Sequence, residues 1–503
     1  MTDEGGDIFS ARWIIEDAFH SHNDFALYVL DGRIGGLAPL AVLKSRYPSA
    51  RVHSDTNTAI LPGFVNAHHH CYGVNLINQG IRDDLLEPWI FASAGAADIA
   101  PRLATEYAAM RLLKNGVTAV VDACTAGQTA AIAEAKIRGK IAVYNGLGLS
   151  CAIAPGERWH NQLVHAYGQS QSFLTTLPEV LRCKLQRQHV ARARIEPQNF
   201  VRLLSRMHGE YAASECADVW FGPTAPHWTG QETLRDIARE VRESGQRIHT
   251  HAEESRLQHL SATAWSFQGA IAELGEAGLL TDGLSLAHMV WADEKDLARV
   301  AEVHAHIVCN PSSNLRLRSG IAPAPLMKRM GINLALGMDG TSLAGDDDMF
   351  AEMRLAQSLY WSSDRANPSL TAKDVFDMAT LGGARLMGMD HSIGSLSVGK
   401  RADFVILRLD RLEGPWLDPG IDPVELLVRS AKSTDIQSVF TGGQLAVSHG
   451  EAKKCDEKKI LQNITDGMQR AADQRLSANE YAAVKSALQR WYDDWLTNNA
   501  PHL

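Results

Sequence analysis

Three consecutive histidines close an apolar run in this sequence, Leu61-Pro-Gly-Phe-Val-Asn-Ala-His68-His69-His70. In an extended chain the side chains alternate, so His68 and His70 face one side and His69 the other. Two imidazoles on one side of a strand end can chelate a zinc ion. A string of hydrogen-bonded polar histidines is the alternative. A second strand end reads Arg247-Ile-His249-Thr-His251-Ala-Glu253-Glu254. His251 offers a third ligand. Glu254 falls where strand gives way to loop, and it can reach a metal-bound water and move protons as general acid and base. His249 points the same way but deeper and reads as a buried, hydrogen-bonded core histidine. Glu253 reads as a solvated or structural carboxylate. Leu284-Ser-Leu-Ala-His288 ends in a further histidine, either a ligand, a partner of metal-bound hydroxide, or a structural residue. Asn333-Leu-Ala-Leu-Gly-Met-Asp339 offers a fourth ligand in Asp339, which can also orient and deprotonate water. Its alternative is an Asx-turn aspartate before Gly340.

Such residues need strands that end at a common place. Candidate strands are Ala59–Val65, Val117–Val121, Ile141–Tyr144, Asp218–Phe221, Arg247–His251, Leu284–His288, His306–Cys309 and Asn333–Met338, with helical patterns between most of them. Two of those patterns are Ala104–Lys114, stopped by Asn115-Gly116, and Gln231–Val241, ending near Gly245. That alternation predicts an α/β fold, a (β/α)8 TIM barrel, whose active residues sit at C-terminal strand ends. A doubly wound open sheet is the competitor. Strand-like pieces at both ends of the chain, Phe25–Leu30 before Asp31-Gly32, then Ala402–Leu407 and the hairpin around Gly442-Gly443, predict one small β-sandwich domain. The expected division is 1–58 and 393–452 for that domain, 59–392 for the barrel and 453–503 for a helical tail. In the tail Ile460, Ile464, Met468 and Ala472 recur on one face, for packing on the β-domain or on a second subunit.

The chain has 503 residues, 45% hydrophobic and 21% charged, enough for a large core. Lys plus Arg is 49 and Asp plus Glu is 58, a formal charge of −9. That balance argues against gripping nucleic acid or an anionic membrane. No apolar run reaches the roughly 18 residues of a membrane span, and the acidic start lacks a secretory signal. The 7 cysteines show no CxxC spacing and read as free thiols of a cytoplasmic protein. Cys71 and Cys309 lie near strand tips without the partner spacing of a nucleophile. Asp346-Asp347-Asp348 reads as the cap of the helix after the eighth strand. Arg316 and Arg318 either meet an acidic substrate or are solvated. Trp89, at the end of Asp83-Asp-Leu-Leu-Glu-Pro-Trp89, either covers the pocket or packs as part of an ordinary surface helix.

LPGFVNAHHH, HTHAEES, SLAH, CNPSSNLRLRSGIAP and LGMDG, in this order, resemble the amidohydrolase superfamily, in particular its deaminase and triazine-hydrolase branch. The resemblance spans most of the chain. It implies metal ligands at His68, His70, His251 and Asp339, a proton shuttle at Glu254, and His288 with Asp339 acting on the metal-activated water. The fourth strand has no lysine of the kind binuclear members carboxylate, which implies one divalent metal per chain, Zn2+ in the first place and Fe2+ as the alternative. The implied reaction is hydrolytic deamination of an amino-substituted N-heterocycle. Dechlorination, loss of an alkylamine, or hydrolysis of a guanidine- or urea-like C–N bond is the runner-up, and a non-catalytic metal-binding barrel has no use for Glu254. The resemblance also implies a substrate-binding position at Thr224, where many relatives have histidine in a PHAPY pattern. His227 stands where they have tyrosine. His227 and Trp228 are left as a stacking and hydrogen-bonding wall. Asn314, of the seventh-strand SN motif, shapes the rim. The implied partner is a small heterocyclic molecule, not nucleic acid or a membrane, and the implied assembly is a homodimer.

Overall fold

Strand-forming runs from the two ends of the chain meet in one mixed sheet, and the runs between them form parallel sheets covered by helices. The computed structural model describes residues 5–159, 171–189, 194–266, 268–340, 345–363, 368–471 and 475–499. The mixed sheet contains β1 (Asp7–Ile15), β2 (Ser21–Asn23), β3 (Phe25–Leu30), β4 (Arg33–Pro39), β5 (Arg51–Pro62), and later β14 (Phe404–Arg408), β15 (Ile436–Thr441), β16 (Gln444–Ser448) and β17 (Glu451–Ala452). Its nine strands run β17-β16-β15-β14-β5-β1-β3-β4, with β2 on β1. β5 is parallel to β1 and antiparallel to β14, so it splices the two ends of the chain together.

The remaining strands form two four-stranded parallel sheets. One holds β6 (Phe64–His69), β7 (Val117–Asp122), β8 (Ser150–Ile153) and β9 (Ala217–Val219). The other holds β10 (Ile248–Ala252), β11 (Leu284–His288), β12 (His306–Cys309) and β13 (Asn333–Leu336). At one junction Asp339 bridges to His69 beyond the end of β13, and at the other Phe221 bridges to Ile248. These strands are short and apolar because both of their faces are buried. Val65, Ala67, Ala119, Val121, Ala152, Val308 and Ala335 pack on one another in an inner cluster. Residues of the other parity, Phe64, Val120, Ile153, Leu286, Ile307 and Leu336 among them, pack with the covering helices.

Two of the expected strands are placed differently. The run Ala59–Val65 is two strands: Ala59–Pro62 ends β5 in the mixed sheet and β6 starts at Phe64. Gly63 makes the transfer where a Cβ would meet Thr118 Oγ1 at 2.2 Å. Ile141–Tyr144 is helical, inside α3 (Ala130–Leu147). Thr129 caps that helix through Ile132 N, Gly148 closes it at φ 95°, and Ala133, Ile137, Ile141 and Tyr144 form its buried stripe. A short apolar run cannot distinguish such a stripe from a strand.

Five other helices bear on the site or the tail: α1 (Leu86–Ser93), α2 (Pro101–Lys114), α4 (Arg256–Ser266) and, in the tail, α5 (Glu457–Arg470) and α6 (Ala478–Asn499). α5 buries Ile460 with Met110 of α2 and Ala452 of β17, consistent with the β-domain option, while Met468 is half-buried and Ala472 lies outside the described residues. α6 goes elsewhere, against α1 and α4. Among the described residues no helix is long and apolar enough to cross a membrane.

Candidate metal centre

The C-terminal ends of β6, β10, β11 and β13 bring together His68, His70, His251, His288 and Asp339. Simple alternation does not deliver all of them. The β6–β7 register shifts between Asn66 and His69, and this bulge re-aims the end of β6. His288 and Asp339 have φ of 79° and 55°, and Glu253, just before Glu254, has 51°. Non-glycine residues held there store strain, which clusters at functional sites.

His70 Nε2 lies 3.0 Å and His68 Nε2 3.4 Å from Asp339 Oδ1. His70 Nε2 lies 3.3 Å from His251 Nε2. The far ring nitrogens determine what these atoms carry. His70 Nδ1 donates to Ala123 O at 2.6 Å and His251 Nδ1 to Thr224 O at 2.7 Å. A carbonyl only accepts, so Nδ1 keeps the proton and Nε2 presents a lone pair. For His68 the tautomer is set by a longer chain. Ser285 Oγ donates its proton to Ile248 O at 3.0 Å and accepts from His249 Nδ1 at 2.7 Å. His249 Nε2 then accepts from His68 Nδ1 at 2.7 Å, leaving His68 Nε2 bare. His288 Nδ1 donates to Asn314 Oδ1 at 2.9 Å. The Nε2 atoms of His68 and His288 are buried without a hydrogen-bond partner among the described residues.

Burial pushes the His68, His249 and His251 imidazoles well below their ordinary pKa, so they are neutral. Against the opposing effect of burial, the adjoining His68 and His70 rings hold the Asp339 carboxyl well below the ordinary range, so Asp339 is an anion. Ser313 Oγ donates to its other oxygen. Buried lone pairs facing one another beside a carboxylate repel unless a cation stands among them. His68, His70 and His251 form one group suited to a metal, and His68, His288 and Asp339 another, with the ligand atoms of each group within 4.8 Å of one another. The donor set fits a divalent cation of nitrogen-and-oxygen preference.

Glu254 is buried with Oε1 3.7 Å from His288 Nε2, and burial raises its carboxyl pKa. Glu253 is turned away and holds His259 at 2.7 Å, a structural rather than a solvated carboxylate. Trp89 and Asp339 line one cavity with Tyr72, Leu76, Ser313 and Leu317. Thr224 lines the adjoining one with His70, Tyr72, Glu157, Arg158 and His251. His227 and Trp228 are buried in the turn of helix behind Thr224, their rings 4.5 Å apart, and Arg158 lies over Trp228 at 4.3 Å. Asn314 is buried behind His288 rather than on the rim. Arg316 is bound through two nitrogens to Asp83 and Arg318 meets Asp84, so neither is simply solvated. Asp348 alone caps its helix; Asp347 pairs with Arg111 at 2.9 Å. Sequence reasoning missed the His249–Ser285 chain and Tyr72, which stacks on His70 at 5.1 Å. The serine of Ser285-Leu-Ala-His288 was the available signal for the former.

The sequence profile described as "Amidohydrolase family" matches residues 59–446. This chain belongs to that family. A 5-methylthioadenosine/S-adenosylhomocysteine deaminase of Syntrophobacter fumaroxidans is 27% identical to this amidohydrolase over 456 residues, 88% of this chain and 91% of that one. A 5′-deoxyadenosine deaminase of Methanopyrus kandleri is 28% identical over 416 residues, 81% of this chain and 85% of that one. Among solved structures, an adenosine deaminase from Xanthomonas campestris with bound zinc superposes with a TM-score of 0.76 at 26% identity, covering 93% of this chain and 99% of that one. Atrazine chlorohydrolase from Arthrobacter aurescens, complexed with zinc, superposes at 0.73 with 20% identity, covering 92% and 99%, a likeness of fold.

Proposed function

We propose that this amidohydrolase is a metal-dependent hydrolytic deaminase. It replaces the amino group of an N-heterocycle by oxygen and releases ammonia, with adenine nucleosides as the first class to test. The observation that carries this reading is Glu254, a buried carboxyl beside His288 and next to a cluster of bare imidazole nitrogens. Metal binding alone has no use for a proton carrier there.

His68, His70, His251 and Asp339 would hold one divalent cation, zinc in the first place and iron as the alternative. Bound there, it supplies the Lewis acidity that makes water nucleophilic at neutral pH. Asp339, anionic and fixed by Ser313, takes a proton from the attacking water. His288, its Nδ1–H committed to Asn314, accepts a hydrogen bond from that water at Nε2 and orients it. Glu254, protonated at the outset, delivers its proton to the ring nitrogen as the C–O bond forms, takes up the hydroxyl proton of the adduct and passes it to the departing amine as the C–N bond breaks; the proton held by Asp339 then returns to Glu254. Trp89 and Thr224 line the space for the ring, with His227 and Trp228 as the wall behind Thr224 and Asn314 as the support of His288.

The two parallel sheets are read as one closed (β/α)8 barrel, residues 59–392, joined at the two bridged edges. The mixed sheet from 1–58 and 393–452 is its sandwich-like companion, and 453–503 is the tail. A cytoplasmic homodimer completes the reading.

Zinc-loaded protein is tested on 5′-deoxyadenosine, 5′-methylthioadenosine, S-adenosylhomocysteine, adenosine, guanine, aminopyrimidines, pterins and aminotriazines. The expected result is ammonia together with a product in which O replaces NH. Release of chloride or a substituted amine without ammonia would move the reaction to the triazine-hydrolase type. The departures at Thr224 and His227 motivate that second reading.

A further inference from the structure

The C-terminal helix α6 does not sit on the mixed sheet. Its buried Val484, Ala487, Leu488 and Tyr492 share a cluster with Leu86, Ile90 and Phe91 of α1 and with Trp228. Leu257 of α4, the helix that follows Glu254, packs against the same cluster. Polar contacts fix the register. Lys485 Nζ donates to Asp84 Oδ1 at 2.7 Å and Tyr481 Oη to Asp84 Oδ2 at 3.0 Å. Arg318 reaches the same carboxylate at 3.2 Å from the seventh-strand side. Asp84 is buried and stands just ahead of α1, where its Oδ1 also accepts from Leu85 N at 2.9 Å. The inner face of α1 is tied as well, because Ser255, next to Glu254, donates to the buried Glu87. Between these ties lies Trp89, lining the cavity that reaches Asp339. Its buried indole N–H has no hydrogen-bond partner among the described residues.

We propose that α6 is the outer support of the substrate pocket: Lys485 and Tyr481, through Asp84, are positioning residues that hold α1 so that Trp89 presents its N–H to an acceptor on the substrate. α1 alone is a short helix on a long connection, and such segments open locally at low cost unless tied down. A tail helix clamped by a buried carboxylate supplies that tie. The inference rests on the reading of the His/Asp cluster as the active site.

The test compares wild type with Lys485→Met/Tyr481→Phe and with Lys485→Arg, all zinc-loaded. Activity is read on 5′-deoxyadenosine or on the panel compound turned over fastest. The double variant is expected to raise KM about ten-fold with kcat changed by less than about two-fold, since the clamp is worth about one to two hydrogen-bonded charges. Zinc content stays at the wild-type level. Amide hydrogen exchange speeds up over Leu86–Ser93 and not over β10 or β11. Lys485→Arg, which keeps the charge, restores both readouts. An unchanged KM overturns the proposal, as does a fall in kcat that tracks loss of zinc, or faster exchange spread over the strands. Silence of the wild type across the whole panel would fail the deaminase reading instead, and the exchange over α1 still decides the clamp.

Discussion

One run of three histidines feeds two buried polar clusters of opposite character. His68 and His70 face inward, where Nε2 atoms and a carboxylate converge with lone pairs left over. His69 faces outward, towards Asp122, Lys140, Tyr144 and Cys71. There Lys140 Nζ meets Asp122 at 2.7 Å, and Tyr144 Oη contacts Asp122 at 2.7 Å and Cys71 Sγ at 2.8 Å. Cys71 N donates to His69 Nδ1 at 2.8 Å. Burial lowers the pKa of the Lys140 ammonium and Asp122 more than restores it; burial pushes the Cys71 thiol up, so it stays a protonated, inert group. In the outer cluster Lys140 answers the charge of Asp122, although His69 Nε2 and Asp122 Oδ1 have no hydrogen-bond partner among the described residues, whereas the inner one gathers ligand atoms within 4.8 Å of one another, as a metal site requires. Burial alone therefore does not mark a functional site. Convergence of several ligand atoms on one point does.

Substitutions on the two sides should separate accordingly. Asp339→Ala is expected to lower kcat/KM by ~10²–10⁴-fold and to weaken metal retention, with melting of the metal-free protein little changed. Retained activity in that variant would erase the distinction. Lys140→Met leaves Asp122 buried and unpaired and should cost ~3–5 kcal/mol of stability, read by denaturant titration, with metal stoichiometry intact. Loss of metal at unchanged stability would merge the two clusters. Ser285→Ala removes the end of the chain that fixes His68 and should weaken zinc affinity ~10–100-fold in a chelator competition, while His249→Gln, still an acceptor for His68, should weaken it less. The smallest effect concerns Glu87, which lies between the two types: it accepts from Ser255, yet burial raises its carboxyl to about 7. A raised carboxylate pKa stabilises the fold below the unfolded value and loses that contribution as pH rises through about 7. Glu87→Gln should therefore gain stability relative to wild type between pH ~5 and ~8, by about 1 kcal/mol after allowance for relaxation, seen as a melting difference that grows with pH. A difference independent of pH would mean that Glu87 keeps its charge.

The separation of the two clusters was half legible beforehand. Alternation assigned His69 to the opposite side from His68 and His70, and Glu254 and Asp339 were picked out by their places after apolar runs. The first parallel strand was not legible, because β5 and β6 are one apolar stretch interrupted only by Pro62-Gly63. α3 was misread at Ile141–Tyr144 because its buried stripe includes β-branched residues. Asn314 and Arg316 look alike in sequence, as polar residues after β12. Only packing sends the first behind His288 and the second to Asp83.

Residue types and spacing alone establish which chemical groups are present, that they follow apolar strands, and the order in which they arrive. Those properties are local: residue type, period and the loop signals that end a strand. The tertiary structure decided which nitrogen of each histidine is free, since that depends on carbonyls of Ala123 and Thr224 and on a serine of the neighbouring strand. It also decided the inward aim of His288 and Asp339 through positive φ, and the placing of α6 over α1 rather than on the mixed sheet. Hydrogen-bond polarity and long-range docking join residues tens to hundreds of positions apart, and no local period records them.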